Sequence, residues 1–153
     1  MSEDYQIIKS LIESMLDKMG INAGIEIVKG IDFPIFTIVT DEAGILIGEN
    51  GQNLFSLSHV LKKMTGKALK DANKEMPQFS IDVNGYYTKK INDLKESAKM
   101  SAQRARFFKK EIILEPMNAF ERKMVHLALS ECPDIKTESV GEGSERKVVV
   151  KPI

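Results

Sequence analysis

Arg122 and His126 stand four residues apart in the stretch Pro116-Met117-Asn118-Ala119-Phe120-Glu121-Arg122-Lys123-Met124-Val125-His126. On a helix, residues at i and i+4 share a face. A guanidinium beside an imidazole makes a small polar platform: arginine can grip a phosphate with two donors, and both side chains can stack on a base. The stretch also predicts its own helix. Asn118 is a good N-cap, Glu121 stands three residues on where a capping box wants an acid, and Pro116 ends what precedes. Plainer roles fit the same residues. Arg122 can form a salt bridge to Glu115 or Glu121, and His126 can be a helix-packing histidine whose ring is satisfied locally.

Other chemistry finds little support. Two histidines and one cysteine cannot make a four-ligand zinc site by themselves. Cys132, six residues after His126, is not spaced to share a helix face with it, and no activating base or oxyanion device accompanies it. Gly44-Ile45-Leu46-Ile47-Gly48-Glu49-Asn50-Gly51 lacks the Gly-Lys-Ser/Thr ending of a nucleotide-binding P-loop. The expectation is a non-enzyme with no cofactor and no metal. The lone cysteine excludes an internal disulfide framework and fits a reducing compartment. No apolar run approaches the roughly 20 residues that span a bilayer. The acidic N-terminus, Met1-Ser2-Glu3-Asp4-Tyr5, has no signal-peptide pattern. The expected location is the cytoplasm, without membrane insertion.

The charge is unevenly spread. The chain has 153 residues, with 22 Lys plus Arg against 22 Asp plus Glu. Residues 1–84 hold 8 bases and 12 acids, whereas residues 85–153 hold 14 bases, all four arginines among them, and 10 acids. This asymmetry predicts two modules, the second electropositive. A solvated charged helix is the plainer explanation.

Hydrophobic spacing then orders the elements. Tyr5, Ile8, Leu11, Ile12, Met15, Leu16 and Met19 predict an amphipathic helix over 3–19, stopped by Gly20. Strands are expected from Ile25 to Val28 and from Ile35 to Thr40, around a turn at Ile31–Pro34. A short helix and Gly48-Glu49-Asn50-Gly51 follow. A helix from Gln52 to Met64 comes next, closed by Gly66, then a polar loop over 67–77 and a half-buried strand over 79–84, in which Phe79, Ile81 and Val83 alternate with Ser80, Asp82 and Asn84. A long helix over 85–110 carries eight bases (Lys89, Lys90, Lys95, Lys99, Arg104, Arg106, Lys109, Lys110) against Asp93 and Glu96. A strand at Ile112–Leu114 precedes the Arg122 helix, which Pro133 ends. Lys136–Val140 and Lys147–Val150 predict a hairpin across Gly141-Glu142-Gly143-Ser144.

Ile47-Gly48-Glu49-Asn50-Gly51, between two helices and inside this element order, resembles the signature loop of a type II KH domain. Two glycines let the backbone approach phosphates, and the loop feeds a helix N-terminus that favours anions. In KH domains it clamps about four nucleotides of single strand. Glu49 departs from the pattern, since a carboxylate at a phosphate contact costs affinity. Lys62 and Lys63, late in the next helix, can offset it in part or can simply be solvated. The Pro116–His126 stretch resembles the Arg-x-x-x-His (R-3-H) domain, a single-stranded nucleic-acid-binding module, and Glu138–Val150 looks like its closing hairpin.

A KH domain followed by an R-3-H domain is similar to the bacterial Jag (SpoIIIJ-associated, KhpB-like) RNA-binding proteins, over roughly residues 20–153. The resemblance implies an α+β chain with an N-terminal helix over 1–19 packed on a KH domain over 20–84. A long basic helix, 85–110, joins that domain to the R-3-H domain of 85–153, a short β-sheet packed on helices. It implies a sequence-tolerant single-stranded RNA-binding protein acting in post-transcriptional regulation, with single-stranded DNA tolerated. Arg122 and His126 would meet phosphate and base, Arg146 would extend the surface, and Lys123 and Lys147 would add phosphate contacts. Gly48, Glu49, Asn50 and Gly51 would form the second contact. The N-terminal Jag domain of many members is expected to be missing, so membrane-associated roles that depend on it are not carried over. The alternatives are a protein-interaction adaptor that docks through the KH fold, as a homodimer or with another KH protein, and a ribosome-associated factor.

Overall fold

The computed structural model describes residues 2–153. The chain divides into two compact units, Met1–Tyr87 and Thr88–Ile153.

The first unit begins with helix α1, Glu3–Lys18. Ser2 caps it by accepting the Tyr5 N–H at 3.3 Å, and Glu3 and Asp4 lie where the helix dipole favours acids. Ile8, Ile12 and Leu16 point inward at helical spacing. Gly20, at φ +74°, ends the helix by letting Ile21 N–H reach the Leu16 carbonyl at 2.9 Å.

Strand β1 (Gly24–Val28) runs antiparallel to β2 (Ile35–Val39), and β2 runs parallel to β3 (Ser80–Val83). A parallel partner needs a crossover. Helix α2 (Ala43–Ile47), a 3-10 turn at Glu49–Gly51 and helix α3 (Gln52–Asp71) supply it. The core joins α1, α2, α3 and the sheet around Phe36, whose ring meets Tyr5 and Phe79 edge-on.

Helix α3 corrects the expectation that Gly66 closes it and that 67–77 is a loop. Leu54, Leu57, Leu61, Thr65 and Leu69 form one buried face running past the glycine, and Leu69 is fully buried. Burying that last turn outweighs the roughly 0.5–1 kcal/mol that a mid-helix glycine costs. The stop comes at Asn73, at φ +55°, where Asn73 N–H reaches the Lys70 carbonyl and Lys74 N–H the Leu69 carbonyl. Asparagine there does what glycine does at other helix ends.

In the second unit, helix α4 (Tyr86–Phe108, which begins at the end of the first) presents buried Ala98, Ala102 and Ala105. They pack with Val125 and Leu129 of α5 (Ala119–Leu129) and with Ile135, Val148 and Val150. The sheet has the order β4 (Ile112–Ile113), β6 (Lys147–Pro152), β5 (Ile135–Val140), all antiparallel. Helix α5 stops at Leu129, earlier than Pro133: the Ser130 and Cys132 N–H groups reach back only three residues, to the Leu127 and Leu129 carbonyls, in tighter turns.

Candidate nucleic-acid interface

The start of α5 is held by a reciprocal pair. Asn118 Oδ1 accepts the Glu121 N–H at 2.9 Å, and Glu121 Oε2 accepts the Asn118 N–H at 3.0 Å. The other oxygen of Glu121 meets Lys90 Nζ of α4 at 3.1 Å. Glu121 is thus committed to the helix cap and to α4. Arg122 makes no ion pair among the described residues, so neither Glu115 nor Glu121 holds it. Its Nη1 donates to the Met117 carbonyl at 2.7 Å. Met117 N–H in turn donates to the Arg146 carbonyl at 3.1 Å. Met117 therefore couples the Arg122 side chain to the backbone at Arg146. Arg146 Nη1 reaches back to the Gly141 carbonyl at 3.2 Å, across the β5–β6 turn. One of the five guanidinium N–H groups of Arg122 is used to aim it, and the rest are available to an anion.

His126 is held on both ring nitrogens. Nδ1 lies 2.7 Å from Thr137 Oγ1 and Nε2 lies 3.0 Å from Ser139 Oγ. Thr137 and Ser139 alternate along β5 and so project from one face of the sheet. Their register partners, Val150 and Val148, lie in the core beneath α5. The imidazole is thereby a half-buried bridge between helix and hairpin, the locally satisfied role open in the sequence. Its ring orientation is fixed by that bridge.

The predicted residues do not all converge. Arg122 and His126 share a face of α5, and Met117 links Arg122 to Arg146. Lys123 is exposed one residue further round the helix. Lys147 alternates with Val148 and so belongs to the sheet face opposite the α5 core. Sequence reading missed Met117, Thr137 and Ser139. The signal for the two hydroxyl residues was present: they follow Ile135 at strand spacing, on a face that should otherwise be apolar.

The basic helix is less free than its composition suggests. Arg106 binds Asp134 in a two-point contact, Nε to Oδ2 at 2.6 Å and Nη2 to Oδ1 at 3.0 Å. That hydrogen bonding raises the Arg106 pKa and holds the Asp134 carboxyl below its ordinary value.

In the first unit, Gly48 and Gly51 have φ +71° and +78°, and Asn50 between them also sits in the left-handed region at φ +53°. A Cβ on Gly48 would meet Asn53 Cγ at 2.5 Å, and one on Gly51 would meet the Tyr86 ring at 3.0 Å. The loop is therefore closed to larger residues at both ends. No side chain caps α3, and the buried Gly51 precedes it directly. Glu49 and Asn50 are exposed. Lys62 lies about 15 Å along α3 from the loop, beyond a screening length of about 8 Å. Its Nζ sits 5.9 Å from the Phe79 ring centre instead, so it does not offset Glu49, and Lys63 is one residue further still.

Among the described residues, no group of three or more His, Cys, Asp or Glu is placed to hold a metal ion, and no helix is long and apolar enough to cross a membrane.

With this geometry in view, residues 91–152 match the R-3-H domain family. The second unit is thus an R-3-H domain, and Arg122 and His126 lie inside it. The chain is also homologous to proteins named RNA-binding protein KhpB. It is 33% identical over 110 residues to that of Clostridium symbiosum, covering 72% of this chain and 48% of the relative. It is 34% identical over 117 residues to that of Bacillus subtilis, covering 75% and 54%. With the Lactiplantibacillus plantarum protein it shares 25% identity over 137 residues, 90% of this chain and 41% of the relative. The chain spans about half the length of the curated relatives it matches. Each similarity is longer than residues 91–152, so part of the first unit takes part in it.

Proposed function

We propose that the chain is a single-stranded RNA-binding protein of the KhpB (Jag) type, sequence-tolerant and acting in post-transcriptional regulation in the cytoplasm. The observation that carries this reading is the aimed guanidinium of Arg122, tied through Met117 to Arg146 inside an R-3-H domain. Arg122 takes phosphate, Arg146 extends the contact, and the His126 ring, its two nitrogens held by Thr137 and Ser139, offers a ring face for stacking. Lys123 is a peripheral phosphate contact. Lys147, on the other sheet face, is a contact only for a strand that wraps the hairpin edge.

The first unit is proposed to be a type II KH domain over 20–84, with α1 packed on it. Supporting this are the parallel β2–β3 pair, the two helices of the crossover, and the doubly left-handed Gly48–Gly51 loop at the start of α3. Glu49 weakens phosphate clamping by like-charge repulsion, so the R-3-H face dominates affinity. Short RNA oligomers titrated across a salt series test the reading. Affinity should fall with a slope of about −0.7 per neutralised phosphate, and absence of saturable binding at low salt overturns it.

A second reading, docking to another KH protein or to a second copy, is favoured by one observation. Ile45 of α2 and Phe55 of α3 are 60% and 70% exposed beside the Gly loop. Light scattering of the pure chain, alone and with a KH partner, separates a monomer from either assembly.

A further inference from the structure

We infer that the solvent face at the end of α4 is a further contact for single-stranded nucleic acid, in which Phe107 and Phe108 stack on bases while Arg104, Lys109 and Lys110 hold the flanking phosphates. This rests on the RNA-binding reading above and adds a site outside the Arg122 face.

Ala98, Ala102 and Ala105 turn one side of α4 into the core. At about 100° per residue, Phe107 falls about 200° round from Ala105, on the side facing water. It is 81% exposed and Phe108 is 56% exposed. Their rings meet edge to face at 5.0 Å between centres, so each steadies the other and leaves aromatic surface open. Neither ring belongs to the core of this unit.

The charge around them selects the occupant. From Lys99 to Lys110 the sequence has five cations and no acid. Arg106 is spent on Asp134, which pins the end of α4 to the segment before β5. Lys99, Arg104, Lys109 and Lys110 make no ion pair among the described residues. The next acid, Glu111, is held by Lys151 at 3.5 Å. Lys109 adopts φ +51°, so the chain leaves the helix there, and Lys109 and Lys110, both exposed, follow the two rings directly in the chain. Aromatic faces interleaved with unpaired cations suit a strand that offers bases and phosphates in turn. An uncharged protein surface would leave those cations without a partner.

The test uses the full chain and a 12-nucleotide oligouridine carrying one 2-aminopurine, with affinity read by anisotropy and stacking by quenching. F107A/F108A should weaken binding about tenfold and reduce quenching, without changing the salt slope. F107L/F108L, which keeps the apolar bulk and removes the aromatic faces, should lose as much. K109Q/K110Q should instead flatten the slope by about 1.4. If F107A/F108A binds within twofold of wild type while Arg122→Ala still weakens binding, the aromatic contact is overturned and the RNA-binding reading stands. If wild type shows no saturable binding, both fall. If F107A/F108A abolishes binding to phosphatidylglycerol vesicles and leaves RNA affinity intact, the face is a lipid contact and the inference is overturned.

Discussion

His126 Nδ1 lies 2.7 Å from Thr137 Oγ1, joining the last turn of α5 to the hairpin that follows it. With Ser139 on the other ring nitrogen, the imidazole is a strut as well as a candidate contact. His126→Ala should destabilise the second unit by about 1–3 kcal/mol, because it removes both bonds and leaves a gap. His126→Gln, able to keep one bond, should cost less. Urea denaturation followed by amide exchange in α5 and β5 reads both. Equal stability of wild type and His126→Ala would show that the strut carries no weight.

Gly66 lies inside α3, with right-handed backbone and room beside it. A Cβ would meet only Met76 Sδ, at 3.4 Å. Gly66→Ala should therefore stabilise the first unit by about 0.5–1 kcal/mol. Were the helix to end at this glycine in a left-handed turn, the same substitution would destabilise. Chemical denaturation decides by the sign of the change.

Asp134 and Arg106 predict a pH dependence. The hydrogen bond from Arg106 holds the Asp134 carboxyl below its ordinary value. A depressed carboxylate contributes stability above its unfolded-state pKa and loses that contribution as pH falls through the folded-state value. Asp134→Asn should lower the thermal midpoint at neutral pH. The difference from wild type should close on acidification below the usual carboxylate range. A difference that persists in acid would mean that packing, not ionisation, makes the contact.

Glu49 sits between the two glycines of the α2–α3 loop. If that loop meets phosphate, Glu49→Lys should tighten RNA binding and steepen the salt slope by about 0.7. The same oligomer titration gives both quantities. Unchanged affinity and slope would remove the loop from the contact.

What the sequence revealed follows from range. The Asn118–Glu121 box spans three residues, so composition and spacing were enough to place it. The α1 stripe was equally local, whereas the alternation expected of β3 fails at Asp82, which is buried with Ile81 and Val83 because its Oδ1 accepts the Val83 and Tyr87 N–H groups. The end of α3 was hidden because Gly66 reads as a stop, whereas the buried turn at Leu69 depends on tertiary packing. Thr137 and Ser139 stood out as polar residues at strand spacing, but their pairing with His126 was not legible, since it requires α5 to be docked on β5. The Arg106–Asp134 contact spans 28 residues and was absent from any local pattern. Lys147 looked like a neighbour of Arg146, and strand alternation sends it to the other face.

The central claim is that Arg122, aimed by Met117, holds phosphate. The most direct measurement is the salt dependence of single-stranded RNA binding for wild type and Arg122→Ala. Arg122→Ala should bind more weakly, with a slope shallower by about 0.7, the signature of one lost phosphate contact. An identical affinity and slope in a folded Arg122→Ala protein would contradict the claim.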